Sequence, residues 1–276
     1  MNSASRSPAG ELLPDFSHSF SRMFPSAGVG MRRFGISEND LAIDFSEGNT
    51  PALVTRILEQ CAVDPGGRLP AGFFRDLTAG RRLECLLAVA AGADGSPFRF
   101  PLHCIGCGQE IELELTLDDI AHQQRESDGI ESIEVQIRGG PVLFRKPIGR
   151  DQERWAEMDF EDTGEALTTM IGTLAASAHV QELLDPDAID RIDAAMNEAD
   201  PLVNFHCSVR CAECGSLNDS FIDLCDVALA ALSRMQKQLI VMVHKLASRY
   251  HWSEREIFSV PHWRRETYLN LINAGR

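Results

Sequence analysis

Two copies of one short pattern, Cys104-Ile105-Gly106-Cys107-Gly108 and Cys211-Ala212-Glu213-Cys214-Gly215, concentrate the chemistry of this sequence. Thiols spaced by two residues can place both sulfurs on one tetrahedral ion. The tight turn between them aims backbone amides at the sulfurs, and the glycine that follows tolerates positive φ. Two such turns supply four ligands, Cys104, Cys107, Cys211 and Cys214. A shell of four thiolates leaves no position for water or substrate, so the ion it predicts is structural zinc. Two other arrangements stay open at this level: two separate or vestigial pairs, and a redox pair, which lacks the βαβ context such motifs keep. His103, His206 and Cys207 adjoin the pairs as possible replacement ligands, although knuckle geometry favours the four named cysteines. Cys61 and Cys85 fall on apolar helical faces and read as small core residues.

The repeat extends beyond the cysteines. Aligning Cys104 on Cys211 places Leu115 on Ile222, Leu117 on Leu224 and Asp119 on Asp226. Between the pairs lie 103 residues, so the pattern requires an insertion whose ends return to one place. Loop-closure entropy tolerates this because it grows only logarithmically with length. The expected fold is α+β: a four-cysteine zinc ribbon of two knuckle hairpins with a large inserted region of strands and helices, flanked by N- and C-terminal helices.

Local patterns fill in that frame. Residues 1–40, rich in Ser, Gly and Pro with scattered Phe, are expected to form a flexible tail. Residues 41–101 form an N-terminal helical segment, with apolar residues at three- and four-residue spacing from Thr50 to Ala93 and a break at Asp64-Pro65-Gly66-Gly67. Residues 102–226 hold the ribbon, with the insertion over 121–200. From Ile111 to Leu117 apolar residues alternate as in a strand with one buried face. Ile133, Val135 and Ile137 with Val142 to Phe144 predict a strand pair across Arg138-Gly139-Gly140-Pro141. Thr163 to Leu184 and Pro186 to Ala199 read as two helices, the second capped by Asp185. Residues 227–276 are a C-terminal helical segment. Ala228, Leu232, Met235, Leu239, Met242, Leu246 and Tyr250 stripe one long amphipathic helix. Ser253-Glu254-Arg255-Glu256 then matches a capping box, and a last helix follows Pro261.

Composition bounds the function. The chain has 276 residues, 44% hydrophobic and 24% charged, the proportions of an ordinary globular protein. A net charge of -15 repels a phosphate backbone, so nucleic acid is an unlikely partner. No stretch approaches the ~20 apolar residues of a membrane span, and the first residues lack the apolar middle of a secretory signal; the expected location is cytoplasmic. Charge is uneven: Ala230 to Arg276 holds eight basic and three acidic residues, a local excess of +5. No motif for a nucleophile elbow, a zinc hydrolase or a phosphate loop is present, and the acidic pairs Asp118-Asp119 and Glu161-Asp162 sit at expected helix starts, where they cap. The sequence therefore points away from an enzyme.

Four stretches, in this order, resemble the T4-like phage baseplate hub assembly chaperone family of contractile tails and injection systems. They are Phe73-Phe74-Arg75-Asp76-Leu77-Thr78 with Arg81 and Leu86-Leu87, then the two knuckles, then Ala194 to Pro201, and finally His244 to Ala247 with Tyr250-His251-Trp252-Ser253-Glu254-Arg255-Glu256-Ile257, Arg264-Arg265 and Tyr268-Leu269. The chain departs from that pattern in its long N-terminal tail, in Ile105 and Ala212 where proline is common, and in the extra Cys207 and Cys225. The resemblance implies a non-enzymatic factor that holds a baseplate hub or tail component until it is incorporated. The C-terminal helices would offer the client an apolar surface, for which Trp252, Ile257, Phe258, Trp263 and Tyr268 are the expected anchors. The alternative reading is a zinc-ribbon module that binds nucleic acid through Arg249, Arg255, Arg264 and Arg265.

Overall fold

The computed structural model describes residues 30–64, 69–91, 97–127, 129–177 and 179–274. Three hydrophobic clusters divide the body: one beneath the knuckle hairpins, one in the inserted region and one at the C-terminal helices.

Helices Thr50–Cys61 (α1), Phe73–Asp76 (α2) and Ala79–Ala90 (α3) open the fold. Asn49 caps α1 by accepting from the Ala52 amide at 3.0 Å. Eleven of the twelve residues of α3 are buried, which makes it the central rod of the first core. Its Leu86, Leu87 and Val89 cluster with Ile57 and Leu58 of α1. Arg82 lies inside this core, where its guanidinium donates to Thr55 Oγ1 (2.9 Å), Phe74 O (2.8 Å) and Pro51 O (2.8 Å), tying α3 to α1 and α2.

Two hairpins follow the repeat. Strands Phe98–His103 and Glu110–Leu115 pair antiparallel, with His103 opposite Glu110; His206–Arg210 and Leu217–Phe221 do the same, with Arg210 opposite Leu217. Each hairpin runs straight into a capped helix. Thr116 and Asp119 exchange hydrogen bonds at the start of Leu117–Glu126 (α4), and Asp223 accepts from the Asp226 amide at 3.0 Å at the start of the 27-residue helix Leu224–Tyr250. The strand alternation therefore stops at Leu115, because Thr116 caps; Leu117 is helical, not the last residue of the strand.

The insertion begins after α4 with the antiparallel pair Ser132–Ile137 and Gly140–Arg145, in which Ile133, Val135 and Ile137 face one core and Arg138-Gly139 make the turn. Helices Gly149–Ala156 (α5), Thr163–Leu174 (α6) and Pro186–Ala199 (α7) complete it. Asp185 caps α7 as expected. The helix expected over Thr163 to Leu184 ends at Leu174, because the chain there turns onto the hairpin edge: Ala175 bridges Phe144 and the Ala176 amide donates to Leu143 O at 2.9 Å. The two ends of the insertion meet at Asp200. Its carboxylate accepts from the Gly80 amide at 3.0 Å and from Gln124 Nε2 at 3.2 Å, so one buried side chain fastens α4, α7 and the open N-terminal turn of α3. A β-carbon at Gly80 would collide with that carboxylate.

The long helix, numbered α8, extends about 40 Å at 1.5 Å per residue. Its first half packs in the first core through Leu224, Ala228 and Leu232, and its second half packs through Val243 and Leu246 against Glu254–Ser259 (α9) and His262–Ala274 (α10). His251 ends it at φ +56, and the Ser253/Glu256 capping box starts α9.

The tail expected over 1–40 is corrected at its end. Residues 1–29, with Phe16, Phe20 and Phe24, lie outside the described residues, but Gly30–Met31 pairs with Ala62–Val63, and Met31, Phe34 and Ile43 are core residues. Asp40 is fully buried and receives Arg32 (2.6 and 2.8 Å), the Gly35 amide (2.7 Å) and Gln60 Nε2 (2.8 Å). Glycine and serine here form a folded turn around a carboxylate, with Gly35 at φ +94.

Candidate metal centre

The two knuckles are nearly the same object. In the first, the Cys104 amide donates to Gln109 O (2.8 Å) and the Gly108 amide to Cys104 O (2.8 Å); in the second, the Cys211 amide donates to Ser216 O (2.9 Å) and the Gly215 amide to Cys211 O (3.0 Å). Gly108 and Gly215 adopt φ of +72 and +74, the left-handed region that a side chain resists. The turns press together tip to tip, since a β-carbon at Gly106 would collide with the Ser216 hydroxyl.

This brings the four sulfurs of Cys104, Cys107, Cys211 and Cys214 within 4.8 Å of one another. Cys104 Sγ lies 3.5 Å from Cys214 Sγ, and Cys107 Sγ lies 3.8 Å from Cys211 Sγ. A tetrahedron with ~2.3 Å metal–sulfur bonds has sulfur–sulfur edges of about 3.8 Å, and a disulfide would hold its sulfurs at about 2.05 Å. The spacing fits a shared ion, and all eight cysteines are free of disulfides. Cys104 and Cys211 are buried; Cys107 and Cys214 lie at the surface.

Electrostatics point the same way. The Gly106 amide donates to Cys104 Sγ at 3.3 Å, as a thiolate requires. The Ser216 hydroxyl and amide, followed by hydrogen bonds from Cys104 and Cys107, bring Cys214 down to about 6. At Cys107 the Gln109 amide pulls down, but the sulfurs of Cys214, Cys104 and Cys211 together push the thiol up to about 12. Four like-charged sulfurs cannot ionise together at this distance without a cation among them.

One residue that pattern reading missed holds the knuckles together. Asn218, 1% exposed, accepts from the Ile105 amide of the other knuckle at 2.8 Å and donates to Val209 O (3.2 Å) and Ser216 O (3.0 Å) of its own. In the repeat alignment its counterpart is Ile111, so the signal was a polar residue where the other copy is apolar.

The neighbouring candidates stand apart from the sulfurs. His103 is exposed beside Glu110. His206 lies 3.8 Å from Asp219 and against the Phe221 ring, and Cys207 packs partly on the first core. Burial pushes Cys61 and Cys225 up to about 12 and raises Cys85 as well, the behaviour of inert core thiols.

The five expected anchors divide. Trp252 and Tyr268 form an aromatic cluster with Tyr250, at centroid distances of 4.9 to 5.4 Å, and are half-buried. Phe258 is half-buried under Arg265. Trp263 is 65% exposed. Ile257 offers a partner no surface: it is fully buried with Val243 and Leu246 and holds α9 on α8. Arg265, expected on a basic surface, is buried too; Arg249, Arg255 and Arg264 are exposed.

Comparison of the chain with protein-family models, with curated proteins and with solved structures finds no match. No helix among the described residues is long and apolar enough to cross a membrane.

Proposed function

We propose that this chain is a non-enzymatic assembly factor for the baseplate of a contractile phage tail or injection system, a chaperone that holds a hub or tail component, with structural zinc between its knuckles. The observation that carries the reading is the meeting of two turns 103 residues apart in one four-sulfur cluster. That cluster unites the flanking segments into one frame, the arrangement that the repeat of the two knuckles predicts. Cys104, Cys107, Cys211 and Cys214 would hold the ion, and its chemistry there is cross-linking alone. The frame carries an arm, the second half of α8 with α9 and α10, which exposes Ile240, Val241, Trp263 and Leu271 in a segment with an excess of basic groups. Exposed aromatic and aliphatic side chains of this kind are the usual anchors of a protein partner.

The test is co-expression with the hub and tail components of the same system. The tagged chain is expected to retain a hub or tail component, and Trp263→Ala to lower recovery by about tenfold or more, as truncation of an anchor does, with metal content unchanged. If the wild-type chain retains none of them, the proposal fails.

A further inference from the structure

Helix α10 has one apolar stripe more than the described fold uses. Tyr268, Leu269 and Ile272 pack it into the third cluster with α8. On another side Trp263, Thr267 and Leu271, each four residues from the next, are exposed, Trp263 by 65% and Leu271 by 60%. The Thr267 hydroxyl donates to Trp263 O at 2.9 Å, so the stripe requires nothing polar of a partner. It runs about 12 Å from first to last residue at 1.5 Å per residue. A surface helix ordinarily keeps a single apolar stripe for its core, and a second one marks a contact.

The chain itself carries a matching stripe. Phe16, Phe20 and Phe24, outside the described residues, also recur every fourth position, and the residues between them are polar apart from Met23. On a helix that spacing would put three rings on one face over the same ~12 Å, and apolar anchors so spaced are how a helix is held in an apolar groove. The described chain begins beside the arm. Gln236 of α8 donates to Asp40 O (2.9 Å) and Ile43 O (2.7 Å), Leu41 joins the third cluster, and a β-carbon at Gly35 would touch Leu239. Arg32, Ile36 and Glu38 share a surface depression with Phe258 and Ser259 of α9, and Trp263 follows Ser259 by four residues. Phe24 precedes Gly30 by six residues, a reach of up to about 20 Å. So short a tether holds the segment at an effective concentration on the order of millimolar. A second copy lacks that advantage, because the local excess of +5 makes two arms repel.

We propose that residues 16–24 dock on the exposed stripe of α10 in their own chain, through Phe16, Phe20 and Phe24. Trp263 is then covered in the free protein, and a client that anchors on it displaces the segment. The contact within the chain stands by itself; the displacement rests on the docking function proposed above.

The test uses the full chain with its metal. Accessibility of Trp263 is read by acrylamide quenching, as the difference between each protein and its Trp263→Phe counterpart, in which Trp155 and Trp252 remain. Replacing the three rings together (Phe16→Ser, Phe20→Ser and Phe24→Ser) is expected to raise the quenching of Trp263 about twofold or more, because a segment with a dissociation constant of ~0.1 mM occupies its site most of the time at a millimolar effective concentration. A synthetic peptide of residues 10–28, added to that triple variant, is expected to restore the protection. Equal quenching in wild type and triple variant, or no protection by the peptide, would overturn the proposal. Protection that grows with protein concentration in wild type would overturn it in favour of a second copy. In co-expression the triple variant is expected to retain about tenfold more of the hub or tail component, since the competent fraction rises from about a tenth to nearly all; equal retention would overturn the displacement. If neither protein retains a component while the quenching result holds, the docking function fails and the contact within the chain stands.

Discussion

Replacing Asn218 by alanine should loosen the metal centre without touching a sulfur. The side chain makes three hydrogen bonds, to the Ile105 amide and to the carbonyls of Val209 and Ser216. At a net contribution of about 1 kcal/mol each, their loss costs about 3 kcal/mol. Only the bond to Ile105 links the two knuckles, while the other two shape Asn218's own turn, so between about 1 and 3 kcal/mol of this cost falls on the state in which the knuckles meet. Metal binding draws on the folding of that state. At about 1.4 kcal/mol per decade, the affinity should drop by about fivefold if the Ile105 bond alone is felt and by up to about a hundredfold if all three are. Competition with a chromogenic chelator reads it directly, and far-ultraviolet dichroism checks that the helices persist. An affinity within about threefold of wild type, with the fold intact, would refute the reasoning, because the knuckles would then be held by the ion and the core alone.

Metal analysis of purified protein should give about one zinc per chain, since four thiolates close one shell. Chelation, or Cys107→Ser, should expose the knuckles to protease while the inserted region, with its own core, unfolds later. Acid should release the metal as the thiolates protonate, which a zinc-sensitive dye in a downward pH titration would follow. Asp200 supplies a signed pH test. Burial raises its pKa despite hydrogen bonds from Gly80 and Gln124, so its contribution to stability is complete below the unfolded value near 3.8 and falls as pH rises through the higher folded value. Asp200→Asn should thus equal or exceed wild-type stability at pH 7, with the gap closing on acidification. An amide flip of Gln124, whose Oε1 is unpartnered, would accept from the new amide. Asp200→Ala should cost about 2–3 kcal/mol by orphaning the Gly80 amide, and urea unfolding separates the two variants.

What could be read in the sequence was local. The knuckles, the Ser253/Glu256 box, the Asp185 cap and the Ile133–Phe144 hairpin each depend on residues a few positions apart, so their signals lie within one short window. What could not be read depends on partners far along the chain. Gly30–Asp40 looks like a tail by composition, yet it is held by Cys61 O, Gln60 and Val89 O, and Gln236 closes over the carbonyls of Asp40 and Ile43 from 193–196 positions away. The helix that stops at Leu174 does so because Leu143 O accepts the Ala176 amide, which no helix propensity records. Arg265 and Ile257 show the same limit in the opposite sense: an arginine and a flanking apolar residue in a charged helical run look exposed, and only the crossing of α8, α9 and α10 buries them.

The internal repeat explains where such departures collect. Each copy is a hairpin, a sulfur-bearing turn and a capped helix, and the two copies meet tip to tip around one cluster. Two copies alone would be a symmetric and nearly featureless ribbon. Symmetry breaks after the helices: α4 ends at Glu126 and opens into the insertion, whereas its counterpart α8 continues for 27 residues and becomes the arm. The insertion is refastened at Asp200 to α3, the rod against which α8 also packs. A cluster that locks the two hairpins therefore fixes the root of the arm and the root of the insertion together. Loss of the ion should be felt at Trp263 and Arg265 even though neither approaches a sulfur, and a client segment seated on the arm should in turn tighten the metal. Reciprocity of this kind is required of any two sites that share a folding equilibrium.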